Sequence, residues 1–80
     1  MITVHLQYFA ILRDQRGELE ETLSVRSQTV GELYRFLARR YGFTLEKTAL
    51  RVSVNQQFVD WSTPLQDGDD VVFIPPVSGG

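Results

Sequence analysis

One apolar stripe limits the fold more than any other feature of the chain. Val30, Leu33, Tyr34, Leu37, Ala38 and Tyr41 recur at i, i+3, i+4, i+7, i+8 and i+11. That spacing lays them along one face of a helix of about three turns. Thr29 and Glu32 open it as a capping box, the threonine oxygen serving an N-terminal amide while the glutamate reaches back. Gly42 stands where such a helix stops. Arg35, Arg39 and Arg40 fall on the water side, and the last two also suit the negative C-terminal end of the helix dipole. A helix with one apolar face needs a partner layer, and the rest of the chain supplies strands.

The first segment alternates, with Ile2, Val4, Leu6 and Tyr8 on one side and Thr3, His5, Gln7 and Phe9 on the other. Period two with a polar side predicts a half-buried strand. Residues 10–17 suit a short helical turn stopped by Gly17. Residues 19–25 alternate again, with Leu19, Leu23 and Val25 on one face, as a strand near a sheet edge. Leu50, Val52 and Val54 define a third strand, Asn55-Gln56-Gln57 a turn, and Phe58-Val59 a brief return. After the Asp67-Gly68-Asp69-Asp70 turn, Val71-Val72-Phe73-Ile74 is apolar throughout, as a strand covered on both faces would be. Pro75 and Pro76 end its pairing. The expected architecture is a single α+β domain over residues 1–80: a mixed sheet packed on one main helix, with residues 76–80 as an extended, flexible C-terminal tail.

The 80 residues contain no cysteine, so disulfides, thiolate metal sites and cysteine nucleophiles are excluded. The net charge is −2 and the basic residues are spread along the chain, which argues against a nucleic-acid partner. No run of about 18 apolar residues predicts a membrane span. The opening residues already alternate like a strand and lack a signal-peptide layout, so the expected compartment is the cytoplasm.

Side-chain chemistry is sparse. His5 is the only histidine and is expected to be an exposed strand residue with no metal-ligand pattern around it. Asp67, Asp69 and Asp70 do not follow calcium-loop spacing and read as a solvated turn. No nucleophile elbow or phosphate-cradling glycine loop occurs. Phe58 and Trp61 suit packing or a protein contact better than base stacking.

The remaining chemical group is the end of the sequence, Pro75-Pro76-Val77-Ser78-Gly79-Gly80. A carboxylate on Gly80 has no Cβ beside it, and Gly79-Gly80 can thread a passage too narrow for other dipeptides. The prolines stiffen the exit from the sheet. Val77 to Gly80 can reach about 13 Å past the last proline, at about 3.3–3.6 Å per residue. Adenylation would turn the carboxylate into an acyl adenylate. A sulfur donor displacing AMP would leave a thiocarboxylate, and an amine would leave an amide.

From Val54 to Gly80, "VNQQFVDWSTPLQDGDDVVFIPPVSGG" resembles the small subunits of molybdopterin synthase. The resemblance rests on the V-N-x turn at Val54-Asn55-Gln56, the P-L-x-D-G-D-x-V stretch from Pro64 to Val71 and the final P-P-V-x-G-G. Tyr8 to Gly17, "YFAILRDQRG", is similar to the family's F-A-x-L-R-E-x-x-G segment, with Asp14 where glutamate is common and Trp61 as a further departure. The resemblance implies a ubiquitin-like β-grasp fold. It implies that Gly80 is adenylated by an E1-like adenylyltransferase using ATP and then thiocarboxylated by a sulfur donor, with Gly79 threading the tail. It further implies insertion into a large subunit, in a heterotetramer of two large and two small chains, and sulfur transfer to cyclic pyranopterin monophosphate to build the molybdopterin dithiolene. This chain would be the non-catalytic sulfur-donating subunit, holding no cofactor or metal, with active-site side chains on the large subunit. Phe9, Phe58, Phe73 and Pro75 are candidate docking residues, continued by Pro76, Val77 and Ser78. A carrier for thiamine synthesis or tRNA thiolation, a ubiquitin-like protein modifier and a plain interaction module remain open alternatives.

Overall fold

The computed structural model describes residues 1–76; Val77, Ser78, Gly79 and Gly80 lie outside the described residues, so the tail expected over residues 76–80 is represented by Pro76 alone. Within them, strand β1 (Ile2–Tyr8) leads into helix α1 (Ala10–Arg16) and strand β2 (Glu20–Val25). Helix α2 (Val30–Tyr41), a single 3-10 turn (Lys47–Ala49), and strands β3 (Arg51–Val54), β4 (Gln57–Phe58) and β5 (Asp70–Ile74) follow. The strands form one sheet in the order β2-β1-β5-β3-β4. β1 and β5 are parallel, with Tyr8 opposite Phe73, and the other neighbours are antiparallel. This is the ubiquitin-like β-grasp arrangement, with the last strand at the centre of the sheet.

Helix α2 forms for the reasons its sequence gives. The Thr29 hydroxyl accepts from the Glu32 amide at 3.2 Å. The Glu32 carboxylate answers by accepting from the Thr29 hydroxyl at 3.3 Å, not from its amide. Gly42 closes the helix at φ 75°, where a side chain would be strained, and its amide donates to the Ala38 carbonyl. Near the start, Gly31 donates to the Trp61 carbonyl at 2.8 Å. A Cβ on Gly31 would lie 3.1 Å from that oxygen, so glycine is what lets the helix approach the loop at residues 60–64.

The inner face of the sheet meets α2. Val4, Leu6 and Tyr8 from β1, Val71 and Phe73 from β5, and Val52 and Val54 from β3 pack on Val30, Leu33, Tyr34 and Leu37. Trp61 stacks on Phe73 with centroids 6.2 Å apart and planes 9° from parallel, so it seals the core's rim.

Three expectations change. Leu19 is 50% exposed, because β2 begins one residue later at Glu20 and its inward positions are Glu21, Leu23 and Val25. β5 is covered on one face only: Val71 and Phe73 are buried while Val72 and Ile74 stay half-buried on the open side. The aspartate turn is a clasp and not a solvated loop. Asp67 accepts from the Thr3 amide at 2.7 Å. Buried Asp69 accepts from the Asn55 side chain at 3.0 Å and the Gln66 amide at 2.8 Å. Asn55 in turn accepts from the Asp70 amide. The V-N and D-G-D motifs therefore hold each other, tying the β3–β4 turn to the entry of β5.

A second brace joins four elements. Glu21 lies on the inward side of β2 and accepts hydrogen bonds from Tyr8 (2.7 Å), Arg16 (2.9 and 3.0 Å) and Tyr41 (3.0 Å). The Arg16 guanidinium also sits 4.2 Å above the Tyr41 ring. Burial pushes the Glu21 carboxyl up, but its hydrogen bonds to Arg16, Tyr8 and Tyr41 outweigh that and hold it below the usual carboxylate range. Burial first, and the bond to Glu21 second, raise the Tyr8 phenol above its ordinary value.

Candidate functional site

The site to be built is the root of the tail. β5 runs between β1 and β3, so ladders on both sides hold the strand that leads to it. Its last pair sets Ile74 against Arg51. Pro75 is buried and Pro76 exposed, so the chain reaches the surface between these two residues. Neither proline carries an amide hydrogen, and the ladder has no donor with which to continue.

Beside this exit lies a cleft of about 490 Å³ bounded by Arg51, Phe58, Ile74, Pro75 and Pro76. The Arg51 guanidinium rests 5.4 Å above the Phe58 ring. Phe58 is 64% exposed and lies opposite Ser53, which itself lies opposite Val72. Strand alternation sends Val72, Ile74, Arg51 and Phe58 to the side of the sheet away from α2. Phe9 follows inward Tyr8 and is 43% exposed. The open face thus offers an apolar strip next to the tail root.

Of the docking candidates, Phe9 and Phe58 are available on the surface. Phe73 is not: it is 0% exposed, locked between Trp61 and Tyr34. Pro75 is buried as well and acts as the plug where the strand ends. Both are corrections with one cause, since Phe73 follows the inward register of Val71 and Pro75 continues that register. Pro76 is exposed as required. Val77, Ser78, Gly79 and Gly80 lie outside the described residues. The sequence reading missed Arg51 and Ile74. Alternation in residues 50–54 turns Arg51 outward, but only the pairing of β3 with β5 brings it to the tail root, and the all-apolar 71–74 run hid which of its members face outward.

His5 is not isolated. Its Nδ1 lies 2.6 Å from Asp70 and its Nε2 3.0 Å from Glu20, linking β1 to both neighbours on the open face. The bonds to Asp70 first and Glu20 second raise its pKa above the ordinary imidazole value. Among the described residues, no cluster of His, Asp or Glu is suited to hold a metal ion. No helix in them is long and apolar enough to cross a membrane.

The sequence matches the ThiS family over residues 6–80. The chain belongs to the ThiS family. Two relatives are molybdopterin synthase sulfur carrier subunits. That of Escherichia coli is 35% identical over 80 residues, covering 96% of this chain and 99% of the relative. That of Mycobacterium tuberculosis is 37% identical over 83 residues, covering both chains completely. Among solved structures, a complex of subunits 1 and 2 of the molybdopterin-converting factor from Helicobacter pylori contains a chain with TM-score 0.69 and 25% identity, covering 99% of this chain and 100% of that one. Small archaeal modifier protein 1 of H. volcanii matches with TM-score 0.79 over 96% of this chain and 100% of that one; at 19% identity it speaks for the shared fold alone. This ThiS-family chain is thus a member of the ubiquitin-like sulfur carriers, and its β-grasp fold is the family's.

Proposed function

We propose that this chain is the sulfur carrier subunit of molybdopterin synthase, with the carboxylate of Gly80 as its working group. The observation that carries the reading is the exit of the chain from the central strand through Pro75 and Pro76, beside an apolar strip of Phe9, Phe58, Val72 and Ile74. A body fixed by two ladders presents the tail, and the strip gives a large subunit a surface to hold. The named relatives support the same assignment.

The chemistry proceeds at one carbon. A Gly80 carboxylate oxygen attacks the α-phosphorus of ATP on an E1-like adenylyltransferase, and pyrophosphate leaves. A sulfide-equivalent nucleophile from the sulfur donor then adds to the acyl carbon and expels AMP, leaving a thiocarboxylate. In the large subunit, that sulfur attacks a carbon of the cyclic pyranopterin monophosphate, and a C–O bond at that carbon breaks as the C–S bond forms, its oxygen leaving with the electron pair. Hydrolysis of the resulting thioester returns the carboxylate and leaves sulfur on the product. Two such transfers complete the dithiolene, in an assembly of two large and two small subunits. ATP is consumed on the activating enzyme, and this chain holds no cofactor. The setting is cytoplasmic.

Intact-mass measurement after incubation with the activating enzyme, ATP and a sulfur donor tests this. Replacement of one terminal oxygen by sulfur is expected, and an unchanged mass refutes the reading. An amine attacking the same acyl adenylate gives one second reading, a protein modifier. That reading predicts instead a covalent adduct between this chain and another protein.

A further inference from the structure

The outer side of α2 concentrates positive charge on an otherwise acidic molecule. Arg26, Arg35, Arg39 and Arg40 line one cleft of about 550 Å³, together with Phe36 and Glu32. These four are half of the chain's eight lysines and arginines, while its net charge is −2. Among the described residues the ion pairs involve only His5, Arg13 and Arg16, so none of the four is neutralised by a carboxylate. Glu32, the one acid in the cleft, is engaged by Thr29. Arg35 and Arg39 stand at i, i+4, where like charges repel and weaken a helix. The helix dipole compensates Arg39 and Arg40 near the C-terminus but not Arg35 at its middle. At the centre of this charge, Phe36 is 42% exposed. Arginine and exposed aromatic residues together make the usual anchors of a protein interface.

We propose that this face of α2, with Arg26 from the loop before it, is a second docking surface whose occupant is an acidic segment of a partner protein carrying one apolar side chain. Charge complementarity selects the occupant. Guanidinium groups form paired hydrogen bonds with carboxylates, and Phe36 supplies the contact for the apolar side chain. α2 has 12 residues, so it is about 18 Å long, and an extended peptide of about six residues covers it. A nucleic acid fits less well. The positive area is confined to one short helix, it includes Glu32, and the body around it is acidic. The cleft shares no lining residue with the one at the tail root. A partner bound to α2 therefore leaves the open sheet face and Pro76 accessible, so two proteins can hold the carrier at once.

The test is fluorescence anisotropy with a labelled peptide of about six residues, acidic at every position except a central leucine. Binding is expected to weaken as ionic strength rises from about 0.01 to 0.15 M, because the screening length falls from about 30 to 8 Å. R35E/R39E is expected to lose more than about tenfold in affinity, and F36A about threefold or more. R35Q/R39Q serves as a second variant, with circular dichroism reporting the helix. R13E/R51E makes the same change in net charge elsewhere and should stay within about twofold of the parent. Equal binding of the all-glutamine peptide, equal loss in R13E/R51E, no binding by the parent chain, or tighter binding of a single-stranded oligonucleotide would each overturn the proposal.

Discussion

The two faces of the sheet are made from the same strands, yet they do opposite work. Along β5, Val71 and Phe73 are sealed against α2, while Val72 and Ile74 remain half-buried on the far side. Along β3, Val52 and Val54 turn inward and Arg51 outward to Phe58. A shift of one residue in register would exchange the roles. Apolar character alone therefore does not mark a docking residue here. The packed face supplies stability and the open face supplies contact, and each should respond to substitution in its own measurement.

Removing Gly80 should separate the two most sharply. Sulfur loading is expected to vanish in the intact-mass assay. Stability in urea should stay within about 0.5 kcal/mol. Loss of folding would break the comparison. On the inner face, Phe73→Ala should cost about 3–5 kcal/mol. A domain of 80 residues holds about 4–12 kcal/mol in all, so this variant should lose a large share of its stability, read as a lower urea midpoint by near-ultraviolet circular dichroism.

Glu21→Gln should cost about 2–3 kcal/mol by weakening the bonds from Arg16, Tyr8 and Tyr41. Since the folded carboxyl titrates below its unfolded value of about 4.3, its contribution is present above that pH and fades as pH falls through the folded value. Urea melts of parent and variant should converge in acid.

On the open face, Phe58→Ala should change stability by less than about 0.5 kcal/mol. Calorimetric binding to a large subunit should instead weaken by about 1–2 kcal/mol. A stability loss as large as that of Phe73→Ala would erase the distinction between faces. The smallest effect belongs to His5. Its folded pKa is raised, so its pairs with Asp70 and Glu20 contribute fully below about pH 6.5 and are lost as pH rises through the folded value. Solvent reaches the group, so the difference between parent and His5→Gln should stay below about 1 kcal/mol, read as a shrinking gap in urea midpoints from mild acid to alkaline pH.

Much of this division was legible beforehand. Alternation from Ile2 to Tyr8 assigned β1's faces, and the capping box with its stripe placed α2 within a residue of its observed bounds. The tail root was legible because two prolines must end a ladder. The aspartate turn was not, since a carboxylate's partner can lie far away in sequence: Asp67 bonds to Thr3 and Asp69 to Asn55. The candidate site was half legible. Phe9 and Phe58 were found, but Phe73 was misplaced, because an all-apolar strand carries no alternation to show which side meets the helix, and Arg51 was missed, because only the pairing of β3 with β5 brings it to the tail root.

The sequence by itself determined the kinds of elements, the helix ends, the lack of a thiol and the proline-braced approach to the terminal glycines, because propensity, capping and residue chemistry act over a few neighbours. Only the tertiary structure decided that β5 lies at the centre, that Phe73 is core and Phe58 surface, and that Glu21 gathers two tyrosines and an arginine. Those outcomes depend on strand order and register, which bring together groups that no local pattern connects.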